Sequence, residues 1–112
     1  MICPKCGKEL RKVKNRGVEV DYCDNCQGVW FDFTEIEDLA AGIKEFNLVA
    51  PRLEQLRMAQ TAETLKRCPR CNSKMLKVMM KDAPPVFDCC NNDCGYWFDK
   101  DEFEEYVRNN KL

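Results

Sequence analysis

The sequence predicts a small, metal-stabilised α+β fold: two tandem β-hairpins, each carrying four cysteines and followed by a short helix, joined by a helical linker. Three observations predict it. The chain has 112 residues, yet nine are cysteine. The cysteines fall in close pairs. Residues 3–40 and 68–107 repeat one another, and an internal repeat is the strongest organising signal a short chain carries. The expected units are 1–42 (first hairpin and helix), 43–66 (helical linker) and 67–112 (second hairpin and helix). A unit of about 40 residues is too short to bury a self-sufficient apolar core, so a staple is required.

The elements follow in order. The first copy opens Cys3-Pro4-Lys5-Cys6 and the second Cys68-Pro69-Arg70-Cys71. Leu10 and Met75, then Val13 and Val78, follow at equal spacing. Asn15-Arg16-Gly17 and Asp82-Ala83-Pro84-Pro85 are turn sequences. Val18-Glu19-Val20-Asp21-Tyr22 alternates apolar and polar as a half-buried return strand does, with Val86-Phe87-Asp88 its counterpart. A second cysteine pair closes each copy, followed by Trp30-Phe31-Asp32 or Trp97-Phe98-Asp99. Asp32 with Glu35, and Asp99 with Glu102, have capping-box spacing, and Thr34 with Glu37 is a competing start. Ile36, Leu39 and Ala40, matched by Phe103, Tyr106 and Val107, give each helix an apolar stripe. Between the copies, Gly42 ends the first helix. Pro51 suits the first turn of a new one, and Leu53, Leu56, Ala59, Ala62 and Leu65 recur every three residues, predicting a helix over Arg52–Arg67.

The cysteines read as metal ligands. No apolar h-region stands near the N-terminus, so the expected location is cytoplasmic, where disulfides rarely persist. No run is long enough to span a bilayer, and no membrane association is expected. Cys-x-x-Cys brings two thiolates to one ion from a tight turn, and a hairpin sets a second such turn beside the first. Cys3, Cys6, Cys23 and Cys26 make one four-sulfur set with zinc-ribbon spacing. Cys68, Cys71, Cys94 and either Cys90 or Cys89 make the second. Repeat register favours Cys90, because Asp88 precedes it and Trp97 follows it as Asp21 and Trp30 flank Cys23. The pattern Cys-x-Asn-x-x-Cys-Gly favours Cys89. Histidine is absent, which removes mixed Cys/His fingers and histidine-rich catalytic zinc sites. Two Zn²⁺ per chain are expected, each in a closed site whose binding energy is folding energy. A four-thiolate set also suits iron, so a rubredoxin-like or thiol redox protein is an alternative.

The run Cys3-Pro4-x-Cys6-Gly7, Val20-Asp21-x-Cys23-x-x-Cys26-x-Gly28-x-Trp30-Phe31-Asp32, then Glu35 and Leu39, resembles the transcription-factor-IIB-type zinc-finger family of small bacterial and archaeal proteins. Residues 67–107 resemble a second, more divergent copy. It keeps Gly95-x-Trp97-Phe98-Asp99 and departs at 89–94, where Asp93 falls in the place of Cys26. The resemblance implies the ribbon fold, zinc and its cysteine ligands. It does not by itself imply a role in transcription.

Charge separates function classes. With 18 basic and 19 acidic side chains, the chain is not a generically basic nucleic-acid binder. Yet Lys5, Lys8, Arg11, Lys12, Lys14 and Arg16 crowd the first arm. Lys66, Arg67, Arg70, Lys74, Lys77 and Lys81 crowd the second. These arms either touch phosphates or form solvated faces. Trp30 and Trp97 are expected as ribbon core rather than as stacking platforms. No nucleophile–base constellation or phosphate loop is visible, so an enzyme is not expected. The leading expectation is a structural zinc module binding a protein or a nucleic acid, such as part of the transcription or translation machinery. The other is an assembly protein forming a homodimer through residues 51–65.

Overall fold

In a 112-residue chain no ribbon can bury much alone, and the chain's solution is to merge its two ribbons into one sheet. The computed structural model describes residues 1–15, 18–32, 56–59, 65–80, 83–92 and 94–109. The strands are β1 (Arg11–Asn15), β2 (Val18–Tyr22), β3 (Val29–Asp32), β4 (Leu56–Met58), β5 (Leu76–Met80), β6 (Ala83–Cys89) and β7 (Gly95–Phe98). They form one antiparallel sheet in the order β1-β2-β3-β7-β6-β5-β4. Each copy contributes a three-stranded meander, and the two meet where β3 pairs with β7.

That seam explains the Gly-x-Trp-Phe-Asp repeat. Its register sets Trp30 opposite Trp97, with Val29 opposite Phe98, Phe31 opposite Tyr96 and Asp32 opposite Gly95. The equivalent Trp30 and Trp97 therefore face each other, and the remaining pairs are related by a local pseudo-two-fold through them. A Cβ on Gly28 would lie 2.2 Å from Cζ2 of Trp97, and one on Gly95 would lie 2.8 Å from Cζ2 of Trp30 and 2.2 Å from the Phe31 carbonyl oxygen. Each glycine thus makes room for the other copy's indole. Each Trp Nε1–H donates to the Asp two residues on, at 2.8 Å for Trp30–Asp32 and 2.7 Å for Trp97–Asp99. The period of two puts Trp and Asp on one face and Phe on the other.

The two faces carry different cores. Trp30 and Trp97, both fully buried, pack with Cys3, Leu10, Cys23, Cys68, Met75 and Cys90 on one face. On the other, Phe31 of the first copy meets Phe98 and Phe103 of the second at ring-centroid distances of 5.7 and 4.9 Å, and Phe87 stacks on Phe98 at 4.7 Å. Helix α1 (Glu102–Asn109) covers part of this face through Phe103 and Tyr106. Its start carries one half of the expected capping box: the Asp99 N–H donates to Oε1 of Glu102 at 2.8 Å, while the Glu102 N–H donates to the Asp99 carbonyl at 3.0 Å.

Two expectations need correction. The described residues are mostly antiparallel sheet, and α1 is the one helix among them. The helix expected over Arg52–Arg67 is not there as such, because Leu56–Met58 is a strand. It pairs Leu56 with Met80 and Met58 with Val78, and the Ala59 N–H donates to the Lys77 carbonyl at 2.8 Å. Arg67 likewise forms a bridge to Lys74. An isolated helix with a narrow stripe is marginal, whereas the edge of β5 offers unpaired backbone groups and an apolar shelf for Leu56. The helix expected after the first copy, with Glu35, Ile36, Leu39 and Ala40, lies outside the described residues, as does most of the linker.

The seam gives a direct test. Gly28→Ala should cost about 1–3 kcal/mol, the usual penalty for forcing a methyl into a packed core. Chemical denaturation of the zinc-loaded chain should show the midpoint fall. An unchanged midpoint would mean that the seam is not closely packed.

Candidate metal centres

Each sulfur set is assembled by two tight turns. In the first, the Cys3 N–H donates to the Lys8 carbonyl at 2.7 Å and the Gly7 N–H to the Cys3 carbonyl at 3.0 Å. The opposing turn repeats this, with Cys23 N–H to Gly28 at 3.0 Å and Gln27 N–H to Cys23 at 2.8 Å. Gly7 and Gln27, each following the second cysteine of its turn, adopt positive φ of 79° and 63°, and Asn72 does the same at 64° after Cys71. This left-handed step swings the chain back past the sulfurs.

The turns aim backbone N–H groups at sulfur. Lys5 and Cys6 donate to Cys3 Sγ at 3.4 and 3.5 Å, and Cys26 to Cys23 Sγ at 3.4 Å. In the second set, Arg70 and Cys71 donate to Cys68 Sγ at 3.3 and 3.5 Å, and Asn92 to Cys90 Sγ at 3.3 Å. Such donors spread the negative charge that thiolates carry.

The structure brings together Cys3, Cys6, Cys23 and Cys26, and separately Cys68, Cys71, Cys90 and Cys94. Within each set all four sulfurs lie within 4.8 Å of one another. Resolved pairs stand 3.3 Å apart for Cys3–Cys26, and 3.5 Å for both Cys6–Cys23 and Cys71–Cys90. None of the nine cysteines is in a disulfide. A tetrahedron of sulfurs at about 2.3 Å from zinc has edges of about 3.8 Å, so the donor set fits that ion after minor adjustment.

Protonation argues the same way. Without a cation the four thiols cannot ionise together. The N–H of Lys8 draws the exposed Cys6 thiol down to about 6, and the Asn92 side chain helps draw Cys71 down to about 5. Burial drives Cys3 far up and Cys68 up to about 11, and burial with neighbouring sulfurs raises Cys94. One thiolate per set forms readily, and a divalent ion is what makes four compatible. All four ligand positions would then be filled by sulfur, which leaves no open position for water.

Cys89 stands apart from the sulfur set. It is buried in the core of the opposite sheet face, and its Sγ–H reaches the Cys90 carbonyl at 3.6 Å. Adjacent strand residues point to opposite faces, so Cys89 and Cys90 cannot both turn to the metal. The Cys90 N–H donates to the Gly95 carbonyl at 3.0 Å, matching Cys23 to Gly28.

Sequence reasoning missed what the motif aspartates do. Asp32 accepts from Trp30 and also from both arms of Arg70, across the seam. Burial alone would raise its carboxyl, yet Arg70 and the indole hold it below the usual range. The repeat of Gly-x-Trp-Phe-Asp was the available signal. A second group was also unread. Asp88 is fully buried, with Lys77 Nζ at 3.0 Å and Lys66 Nζ at 3.7 Å, and Lys66 reaches Asp99 at 3.4 Å. Glu102 joins Asp88 and Asp99 there, and burial followed by those two charges pushes its carboxyl up to about 7.

Residues 2–42 match the model of a family described as "Transcription factor zinc-finger", a TFIIB-type zinc ribbon. The second four-cysteine cluster, at 68–94, is consistent with a further copy of the same unit. No curated protein and no solved structure matches the chain. With two four-sulfur clusters and a zinc-ribbon match, the chain is a zinc-binding ribbon module holding two Zn²⁺.

Two outcomes are expected. Elemental analysis of Cys94→Ser should give one zinc per chain, while Cys89→Ser should keep two. The reverse pattern would exchange the roles of these cysteines. For Glu102, the carboxyl is protonated more readily in the fold than at its ordinary value of 4.5. Its contribution is therefore full below about 4.5 and is lost as pH rises through about 7. Across that window the native chain should lose stability relative to Glu102→Gln, measured by urea unfolding in excess zinc.

Proposed function

We propose that the chain is a non-catalytic zinc module of a reducing, cytoplasmic compartment whose role is to bind another protein. The observation that carries this reading is the fate of the second basic arm. Arg70 is held by Asp32, Lys66 lies between Asp88 and Asp99, and Lys77 is buried against Asp88. Arg67 donates to the Asn72 carbonyl. In the first arm Arg11 pairs with Asp24 and Lys12 with Asp21. The second-arm cations among these hold the fold rather than await phosphates, whereas Arg11 and Lys12 remain 58% and 47% exposed within their pairs. Both tryptophans are fully buried, so neither offers a face on which a base could stack.

Other readings have less support. Eight of the nine cysteines are committed to metal, and the ninth is buried in apolar surroundings, where thiols are inert. Self-association through a middle helix loses its basis at Leu56–Met58, which is spent on β5. No described helix is long and apolar enough to cross a membrane.

Capture from native extract tests the reading. The protein partner should survive nuclease treatment, and the zinc-loaded chain should show little retention on immobilised DNA or RNA at about 0.15 M salt. Strong retention that falls steeply with salt, and is lost when Lys5, Lys8 and Lys14 are reversed in charge, would make the partner a nucleic acid.

A further inference from the structure

The repeat shows where such a partner would attach. In the second copy, the outer edge of β5 is covered by β4, a strand the chain itself supplies. The equivalent strand of the first copy is β1, since the residues from Arg11 to Asn15 match those from Leu76 to Met80 at the constant spacing that relates Cys3 to Cys68. Among the described residues no strand pairs with the outer edge of β1, where the sheet order ends. Resting on the protein-binding reading above, we propose that the outer edge of β1 receives an extended segment of another protein in which acidic and apolar residues alternate.

Three features select that chemistry. The first is β4 itself. Its Leu56 and Met58 line a cavity of about 300 Å³ with Leu76, Val78 and Cys89. The first copy has its own cavity, of about 460 Å³, in which the matching Val13 and Tyr22 stand with Val29 and Phe103 beside charged residues that include Asp24 and Glu104. Apolar residues of an added strand would lie on the Val13 side, as Leu56 of β4 packs against the core of the second copy.

The second feature is charge. Where β5 reads Leu-Lys-Val-Met-Met, β1 reads Arg-Lys-Val-Lys-Asn. Strand alternation places Lys12 and Lys14 on the side opposite Val13, so carboxylates at every second position of the incoming strand would face them. Lys14 is exposed, and Lys12 keeps 47% of its side chain exposed beside Asp21.

The third feature disfavours the commonest competitor. A second copy of this chain would bring an equally basic edge against the first, and lysines on an edge strand repel such pairing. Strand addition would then take affinity from main-chain hydrogen bonds and specificity from alternate side chains.

The test uses the intact, zinc-loaded chain and a fluorescent octapeptide of alternating glutamate and valine. Saturable binding is expected, weaker at higher salt. The same peptide N-methylated throughout keeps its charge but cannot donate main-chain hydrogen bonds, and should bind at least roughly tenfold more weakly. Lys14→Glu should weaken binding about fivefold at low salt with zinc content and unfolding midpoint unchanged, whereas Lys74→Glu, on the other copy, should not. No binding, or binding indifferent to N-methylation, overturns the proposal. So does a chain that doubles its mass unless Lys14 is reversed, since the edge would then be taken by a second copy. Nuclease-resistant capture that persists while the peptide fails removes the β1 edge alone. Nuclease-sensitive capture removes the protein-binding reading with it.

Discussion

Four sulfurs within van der Waals reach cannot all be anions unless a cation sits among them, and much of the architecture follows from meeting that condition twice. The tight turns donate backbone N–H groups to sulfur, and the left-handed step after the second cysteine returns the chain into a strand. Each sulfur set thereby fixes where two strands of a meander begin. Metal does at these points what a larger protein would do with apolar burial.

The second constraint is the joint between the copies. The indoles lie on the same face as the sulfurs, and the phenylalanines of the same motif lie on the other. One five-residue motif therefore serves both cores. Its glycine receives the partner indole, its tryptophan fills the space beside the metal site, its phenylalanine enters the aromatic cluster, and its aspartate binds the indole N–H. Arg70 adds a bond across the joint at Asp32. The ion pairs Lys12–Asp21 and Lys77–Asp88 occupy equivalent places in the two copies, which shows how far the resemblance between them extends into polar detail.

Much of this was legible in the sequence. The repeat, the turns and the strands flanking them rest on local chemistry: glycine and proline at turns, alternation along Val18–Tyr22, and paired cysteines at hairpin spacing. The bond from the Asp99 N–H to the Glu102 side chain was equally local. What escaped was non-local. Nothing in the spacing of Leu53, Leu56 and Ala59 announces that an open strand edge twenty residues downstream will compete for Leu56–Met58 and win. Nor does Gly-x-Trp reveal on its own that the glycine serves the tryptophan of the other copy. The basic arms were visible as a charge pattern, but which cations are neutralised depends on carboxylates brought near only by the sheet.

The reciprocal fit at Gly28 and Gly95 binds the histories of the two halves together. A bulkier residue at Gly28 requires the Trp97 indole to shrink or turn, and one at Gly95 requires the Phe31 backbone to move as well as the Trp30 indole, so the halves cannot drift apart independently as separable beads on a string can. Divergence is instead free to accumulate at the outer margins. That is where one half has acquired a self-supplied covering strand and the other a row of positive charge.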